Sequence, residues 1–373
     1  MTMFQALDPQ KDVIGFLRSS EAYGGLDLEV DVIETHAALV FLAGKSAYKI
    51  KKAVVYPYLD FSTLEKRKAA CARELELNQP HAPQIYIDTV PICRSDNGSL
   101  QIDGVGEPVE WAVHMHRFDD NALLAQILDA SELPPAFYSK LAKEITRYHA
   151  AAMQVVDDTG ADRIGAIVDE LDEAFSSPNG VIGASQQACM STSMEQQLDV
   201  VRHRLNERSQ RGYVRRCHGD LHLGNIVMLD GEPVLFDAIE FNEEIATIDV
   251  LYDLAFLIMD LEARHLRRAA NVILNHYVAR SHDTANIAGL QALPLFLACR
   301  AGIRAMVALT RFDQANSDTA RTLAGKEAAD YFASALQFLE PQRPQLICIG
   351  GLSGTGKTSV AGELAPEIGS APG

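Results

Sequence analysis

Three residues of this sequence, two acids and an amide, have the types and spacing to do chemistry together. They lie in Cys217–Val227, CHGDLHLGNIV, and in the following Val234–Phe241, VLFDAIEF. Asp220, Asn225 and Asp237 would suit phosphoryl transfer. That reaction asks for an aligned acceptor hydroxyl, a held triphosphate, and Mg2+ placed to neutralise developing charge. Asp220 would orient the hydroxyl and take its proton. Asn225 and Asp237 would bring an amide oxygen and a carboxylate to Mg2+ on the phosphates of ATP. The intervening chain supports the set: IVML reads as a strand, Asp230-Gly231 as a tight turn and VLF as the return strand, which folds Asp237 back towards Asn225. Each residue alone would read as a turn or strand-end residue, and it is the combined spacing that points to chemistry. His218 reads as a scaffold residue of the loop, and His222 stays ambiguous.

A second phosphate motif lies near the end of the chain. Gly351–Thr358, GLSGTGKT, fits G-x-x-x-x-G-K-[ST] between an apolar run, LICIG, and a helical run, SVAGEL. In such a loop, spanning Gly351 to Gly356, backbone N–H groups cradle phosphates, Lys357 reaches the terminal ones and Thr358 holds Mg2+. The further parallel strands, acidic strand end and basic lid of a P-loop domain do not follow before Gly373. The expectation is therefore a truncated or interrupted domain without a working site, since one strand and one helix cannot bury a core.

The elements that must position these residues are legible from periodicity. Ala37–Val55 holds two apolar segments broken by Ala43-Gly44-Lys45-Ser46, the sign of a hairpin. A helix follows from Thr63 to Asn78, capped by Ser62 or Thr63. QIYIDTVPIC and VEWAVHMHRF form a second strand group around the turn-rich SDNGS. From Leu123 the pattern is helical, with a loop or flexible insertion expected between Ser176 and Ser193, where Ser, Gly and Gln accumulate. Residues 249 to 339 are again helical, and PQRPQ after Glu340 reads as a linker.

CHGDLHLGNIV with LFDAIEF resembles the aminoglycoside phosphotransferase and choline kinase branch of the protein-kinase-like fold, which uses H-G-D where protein kinases use H-R-D. The resemblance covers most of residues 30 to 335. It implies an α+β, two-lobed protein-kinase-like fold: a small β-rich, ATP-binding N-lobe (1–120) and a large helical C-lobe with the catalytic loop (121–340). The start of a P-loop α/β domain (341–373) follows, as in bacterial two-domain proteins that join the two. It also implies a strand lysine that grips the ATP phosphates and pairs with a helix glutamate. Lys49, Lys51 and Lys52 compete for the first role. Ala47, Lys49 and Lys51 share one strand face, and Ala47-Tyr48-Lys49 fits the A-x-K pattern of kinases, so Lys49 is preferred. Glu74 is preferred over Glu76 as partner, and Glu65 reads as a first-turn residue that complements the helix dipole. Asp253, with Asp249 one turn earlier, fits the family's support for the catalytic loop, and a helix cap is an equal reading. Arg147, Tyr148 and His149 read as packing and loop support. Two departures from protein kinases stand out: no G-x-G-x-x-G precedes the lysine strand, which the aminoglycoside branch also lacks in strict form, and D-A-I replaces D-F-G.

Bulk composition narrows the partners. The chain has 373 residues, 47% of them hydrophobic, and a net charge of −17 from 33 basic and 50 acidic residues. Such an acidic chain argues against nucleic acid or an anionic membrane as partner. It suits a small, cationic acceptor, such as an amino-sugar or amino-alcohol; acidity that merely keeps the protein soluble is an equal reading. The acidic stretches Asp157–Glu173 and Glu240–Glu244 could attract such a cation or simply be solvated helix faces. The six cysteines are scattered with no C-x-x-C, and MTMFQALDPQKDVIGFL lacks the pattern of a signal peptide, which together suit a reducing cytoplasmic location. Leu293–Thr310 is apolar but carries Arg300 and Arg304, so a buried or amphipathic helix is expected there. The expected activity is an ATP- and Mg2+-dependent small-molecule phosphotransferase. The competing expectation is a non-catalytic nucleotide-binding module that regulates an attached P-loop kinase domain.

Overall fold

Alternation along the lysine strand decides the first half of the fold. In Ser46–Lys51, Tyr48 and Ile50 point to one side of the sheet, and Ala47, Lys49 and Lys51 to the other. A computed structural model, describing residues 10–25, 28–56, 58–131, 133–177, 179–281, 283–341 and 347–368, gives each side its own core. Phe41, Ile50, Val90, Ile92 and Ala112 pack with Val13 and Leu17 of the short helix Lys11–Leu17. On the opposite side Leu42, Ala47, Val113 and Met115 pack with Cys71, Ile85 and Tyr86.

The described residues divide into two compact units, one running to Ser131 and taking in Gly224–Ala246, the other Glu132–Leu223 with Thr247 onwards. The first holds an antiparallel six-stranded sheet. Its strands, in spatial order, are Val30–Glu34, Ala38–Ala43, Ser46–Lys51, Glu107–His116, Tyr86–Arg94 and Leu100–Ile102. The helix Leu64–Asn78 begins where Thr63 Oγ1 accepts the Lys66 N–H at 3.3 Å. Residues 224–246 belong here, and not with the helices that flank them in sequence, because of hydrophobic packing. The hairpin Ile226–Leu229/Glu232–Leu235 buries Val227 and Val234 in the core of Leu42, Ala47 and Met115. Its two-residue turn needs left-handed backbone twice, which Asp230 (φ 51°) and Gly231 (φ 76°) supply.

The second unit is mainly helical. Its longer helices are Pro135–Ala151, Gly160–Ser176, Ala184–Gln210, Val250–Ala263, Arg267–Ser281, Leu293–Gln314 and Asp318–Leu339. Twelve of the fourteen residues of Val250–Ala263 are buried, which makes it the central helix. Thr284–Gln314 is long and apolar enough to cross a membrane, but 72% of its most apolar window is buried inside the fold, as in a core helix.

Two expectations fail. Residues 184–193, read as loop, are the first turns of Ala184–Gln210. The Ser/Gln-rich composition hid a helical stripe, because Met190, Met194, Leu198, Val201 and Leu205 recur at three- and four-residue spacing and are all buried. The strand expected at LICIG also does not form: residues 347–350 carry no strand, and Leu346 lies outside the described residues, as does most of the expected PQRPQ linker. A parallel strand needs neighbours to pair with, and among the described residues none pairs with this one.

Candidate active site

The lysine strand and the helix behind it meet through three charges. Lys49 Nζ lies 2.9 Å from Glu74 Oε1 and 2.5 Å from Asp237 Oδ1. Lys51, two residues on and therefore on the same face, takes the other oxygen of Glu74 at 2.5 Å and also pairs with Glu240. Glu74 is fully buried, and the side chains of Lys51 and Glu240 are 2% and 5% exposed. The buried carboxylate thus faces an ammonium on each oxygen. Burial raises the Glu74 carboxyl, but Lys49 and Lys51 outweigh it and bring the pKa down to about 2. Burial raises Glu240 as well, and there the ammonium of Lys51 does not overcome burial and the nearby Glu74 charge. Glu76 points elsewhere, pairing with Arg73 at the surface.

Asp237 ends the hairpin and sits next to Phe236, whose N–H donates to the Asn225 carbonyl at 3.1 Å. The structure therefore brings the backbone of Asn225 and Asp237 to one end of one hairpin. A carboxylate and an amide oxygen are hard donors of the kind Mg2+ takes. The cationic Lys49 on Asp237 is consistent with a carboxylate that attracts positive charge. Asp237 itself has φ 61°, a left-handed conformation uncommon outside glycine.

In the helical unit the loop before Asp220 is held from below by Asp253. Its carboxylate accepts the N–H groups of His218 at 3.2 Å and Gly219 at 2.9 Å, and lies 3.0 Å from His149 Nε2. The other ring nitrogen of His149 is 2.8 Å from the Tyr277 hydroxyl, so the ring bridges Asp253 and Tyr277. Gly219 has φ 84°, which explains why a glycine stands between His218 and Asp220. Burial raises the Asp253 carboxyl, but the His149 hydrogen bond and neighbouring cations bring it below its ordinary value. Cys217 lies beside His149 and Asp253, but burial pushes its thiol far up, so it stays protonated and donates to the Ile248 carbonyl at 3.4 Å. Within that trio His149 bonds Asp253, and Cys217 bonds the Ile248 carbonyl.

His222 Nε2 lies 3.4 Å from Asp220 Oδ2. Burial raises Asp220, but the charge and hydrogen bond of His222, with His218 and Arg300, hold it well below the usual carboxylate range. Asp220 is thus ionised at neutral pH and able to accept a hydrogen bond from a hydroxyl. Asp249, one turn before Asp253, caps the helix Val250–Ala263: it accepts the Leu251 N–H at 2.8 Å and a two-pronged contact from buried Arg208 at 2.6 and 2.7 Å.

At the far end of the chain, Lys357–Leu364 is a helix preceded by Gly356 with φ 81°. Lys357 Nζ turns back onto the Leu352 carbonyl at 2.5 Å, and Gly351 and Thr358 are exposed. The helix buries no side chain.

Sequence reasoning missed Lys51 as a second partner of Glu74, and it misread Glu240. In sequence Glu240 reads, with Glu243 and Glu244, as an acid that attracts a cation or is solvated, and its side chain is instead buried against Lys51. The only signal available was its place on the chain, three residues after Asp237.

Residues 113–293 match the sequence profile of a family described as the phosphotransferase enzyme family. That match covers just under half of the chain. Uncharacterised proteins of Mycobacterium tuberculosis and Mycobacterium bovis are 32% identical over 346 residues, which is 91% of this chain. The chain spans 66% of the length of those relatives. A choline/ethanolamine kinase family protein from Mesorhizobium loti has a similar structure, with TM-score 0.53 and 13% identity over 89% of this chain and 95% of its own. The GDP complex of aminoglycoside 2'-phosphotransferase-IIIa matches with TM-score 0.50 and 10% identity over 87% and 98%. The fold is accordingly kinase-like and α+β, a β-rich unit and a helical unit.

Proposed function

We propose that the chain is an ATP- and Mg2+-dependent phosphotransferase acting on a hydroxyl of a small molecule. The observation that carries this reading is Lys49, an ammonium held by buried Glu74 and by Asp237 on a strand of the β-rich unit. Lys49 would grip the ATP phosphates, with Glu74 fixing its direction and Lys51 and Glu240 fixing Glu74. Asn225 and Asp237 would hold Mg2+, which supplies neutralisation of the phosphate charge. Asp220 would accept the hydrogen bond of the acceptor hydroxyl. As the acceptor oxygen bonds to the γ-phosphorus, the bond from that phosphorus to the bridging oxygen breaks, ADP leaves, and the hydroxyl proton passes to Asp220.

The acceptor class that fits best is a cationic amino-sugar or amino-alcohol, in keeping with the charge of −17. A reducing cytoplasmic setting suits the six free cysteines. The loop Gly351–Thr358 stays outside this reading, because among the described residues no strand leads into it.

Separating binding from turnover tests the proposal. Asp220→Asn should keep ATP affinity and lose roughly a hundredfold to ten-thousandfold in turnover, the range for a general base. Lys49→Met should weaken ATP binding itself. Turnover that survives unchanged in Asp220→Asn contradicts the assignment. ATP binding by wild-type protein with no turnover on any acceptor favours a nucleotide-binding regulatory module.

A further inference from the structure

Asp237 keeps an unfavourable left-handed backbone, and two buried side chains outside the motif reach that backbone. The Asp237 N–H donates to the Tyr86 hydroxyl at 3.1 Å. The next N–H, of Ala238, donates to Asn78 Oδ1 at 2.8 Å. Tyr86 and Asn78 are each 2% exposed. Asn78 is anchored in turn, its Nδ2 donating to the Glu74 carbonyl at 2.9 Å.

Helical spacing gives this arrangement its logic. Glu74 and Asn78 are four residues apart and share one face of Leu64–Asn78. That face sends a carboxylate to Lys49 and an amide to the backbone after Asp237. Tyr86 opens the strand Tyr86–Arg94 and is fixed by its ring in the hydrophobic cluster with Val113 and Met115. A left-handed non-glycine residue persists only where its surroundings over-determine it. Here two consecutive N–H groups are each given a buried side-chain acceptor.

We propose that Tyr86 and Asn78 are positioning residues that latch the Asp237 backbone in its left-handed form and so aim its carboxylate. The inference rests on the phosphotransferase reading for its purpose, and on the hydrogen bonds alone for its geometry. It assigns roles to two residues that lie 151 and 160 positions from the backbone groups they hold.

Tyr86→Phe tests it with the full chain, because the ring and its packing remain and only the acceptor is lost. Calorimetric titration of ATP at a series of Mg2+ concentrations should show the half-saturating Mg2+ raised about tenfold, the factor expected when one buried N–H loses its partner. ATP affinity without Mg2+ should not move, which separates positioning from general damage. Asn78→Ala should shift Mg2+ dependence in the same direction. A crystal structure of Tyr86→Phe should show Asp237 leaving the left-handed region. Unchanged Mg2+ dependence in both variants, or Asp237 still left-handed in Tyr86→Phe, overturns the latch. Wild-type protein without Mg2+-dependent ATP binding would instead sink the phosphotransferase reading, and the crystal structure would still decide the latch.

Discussion

Replacing each strand lysine by methionine should separate the two, although they bond the same carboxylate. Methionine keeps most of the apolar stem and removes the charge. In Lys51→Met, Glu74 keeps only Lys49, and Glu240, with a side chain 5% exposed, loses the ammonium the structure gives it. Removing one partner of a buried ion pair costs about 3–5 kcal/mol. In Lys49→Met, Glu74 still has Lys51 at 2.5 Å, and Asp237 is 38% exposed, so water takes over its solvation. That loss should be nearer about 1–2 kcal/mol, the range for a partly solvated charged hydrogen bond. The sequence contains one tryptophan, Trp111, and it lies in the strand Glu107–His116 of the same unit. Its fluorescence during urea unfolding therefore reports on the unit that carries both lysines. Lys51→Met should be about 2–3 kcal/mol less stable than Lys49→Met, while Lys49→Met should be the one that loses ATP binding. Adding Glu240→Gln to Lys51→Met should recover part of the loss, because the orphaned carboxylate is gone. Equal destabilisation by the two single changes would refute the division into an inner lysine that supports and an outer one that works.

The remaining expectations concern the loop and pH. Gly219→Ala places a side chain at φ 84° and should cost about 1–2 kcal/mol of strain, with a larger loss of turnover than of ATP affinity, measured on the same preparation. Asp253→Ala removes the acceptor for two loop N–H groups and for His149; it should destabilise by about 3–5 kcal/mol in thermal or urea unfolding, and a change below about 1 kcal/mol would contradict its role beneath the loop. Glu74 has its folded pKa lowered from 4.5 to about 2. The unfolded chain therefore takes up that proton first, and the stabilisation is complete above pH 4.5 and lost as pH falls towards 2. Urea midpoints should drop more steeply over that window in the wild type than in Glu74→Gln, and parallel slopes would show that Glu74 is not the group responsible.

How far the sequence could be read depended on whether the information was local. Strand alternation put Lys49 and Lys51 on one face, Thr63 announced the start of the helix that carries Glu74, and Asp230-Gly231 announced the turn that folds Asp237 towards Asn225. Each of those signals spans a few residues. Lys51 with Glu240, and Tyr86 with Asp237, are partners 189 and 151 residues apart, joined only by packing. Nothing in the neighbourhood of Glu240 marks it as buried, since Glu243 and Glu244 beside it are exposed. Composition misled at residues 184–193, where Ser and Gln concealed the start of a buried apolar stripe at Met190. It misled again at LICIG, where the described residues 347–350 carry no strand and no described strand pairs with them.

The account stands or falls on whether a phosphate ester is made. The purified chain should be incubated with ATP and Mg2+ against a panel of amino-sugars, amino-alcohols and neutral sugars, with ADP release followed and the product examined by 31P NMR. The account predicts acceptor-dependent ADP release, a new phosphomonoester signal, and loss of both in Asp220→Asn. ATP bound by the wild type but never turned over across the panel, or ester formation undiminished in Asp220→Asn, would contradict it.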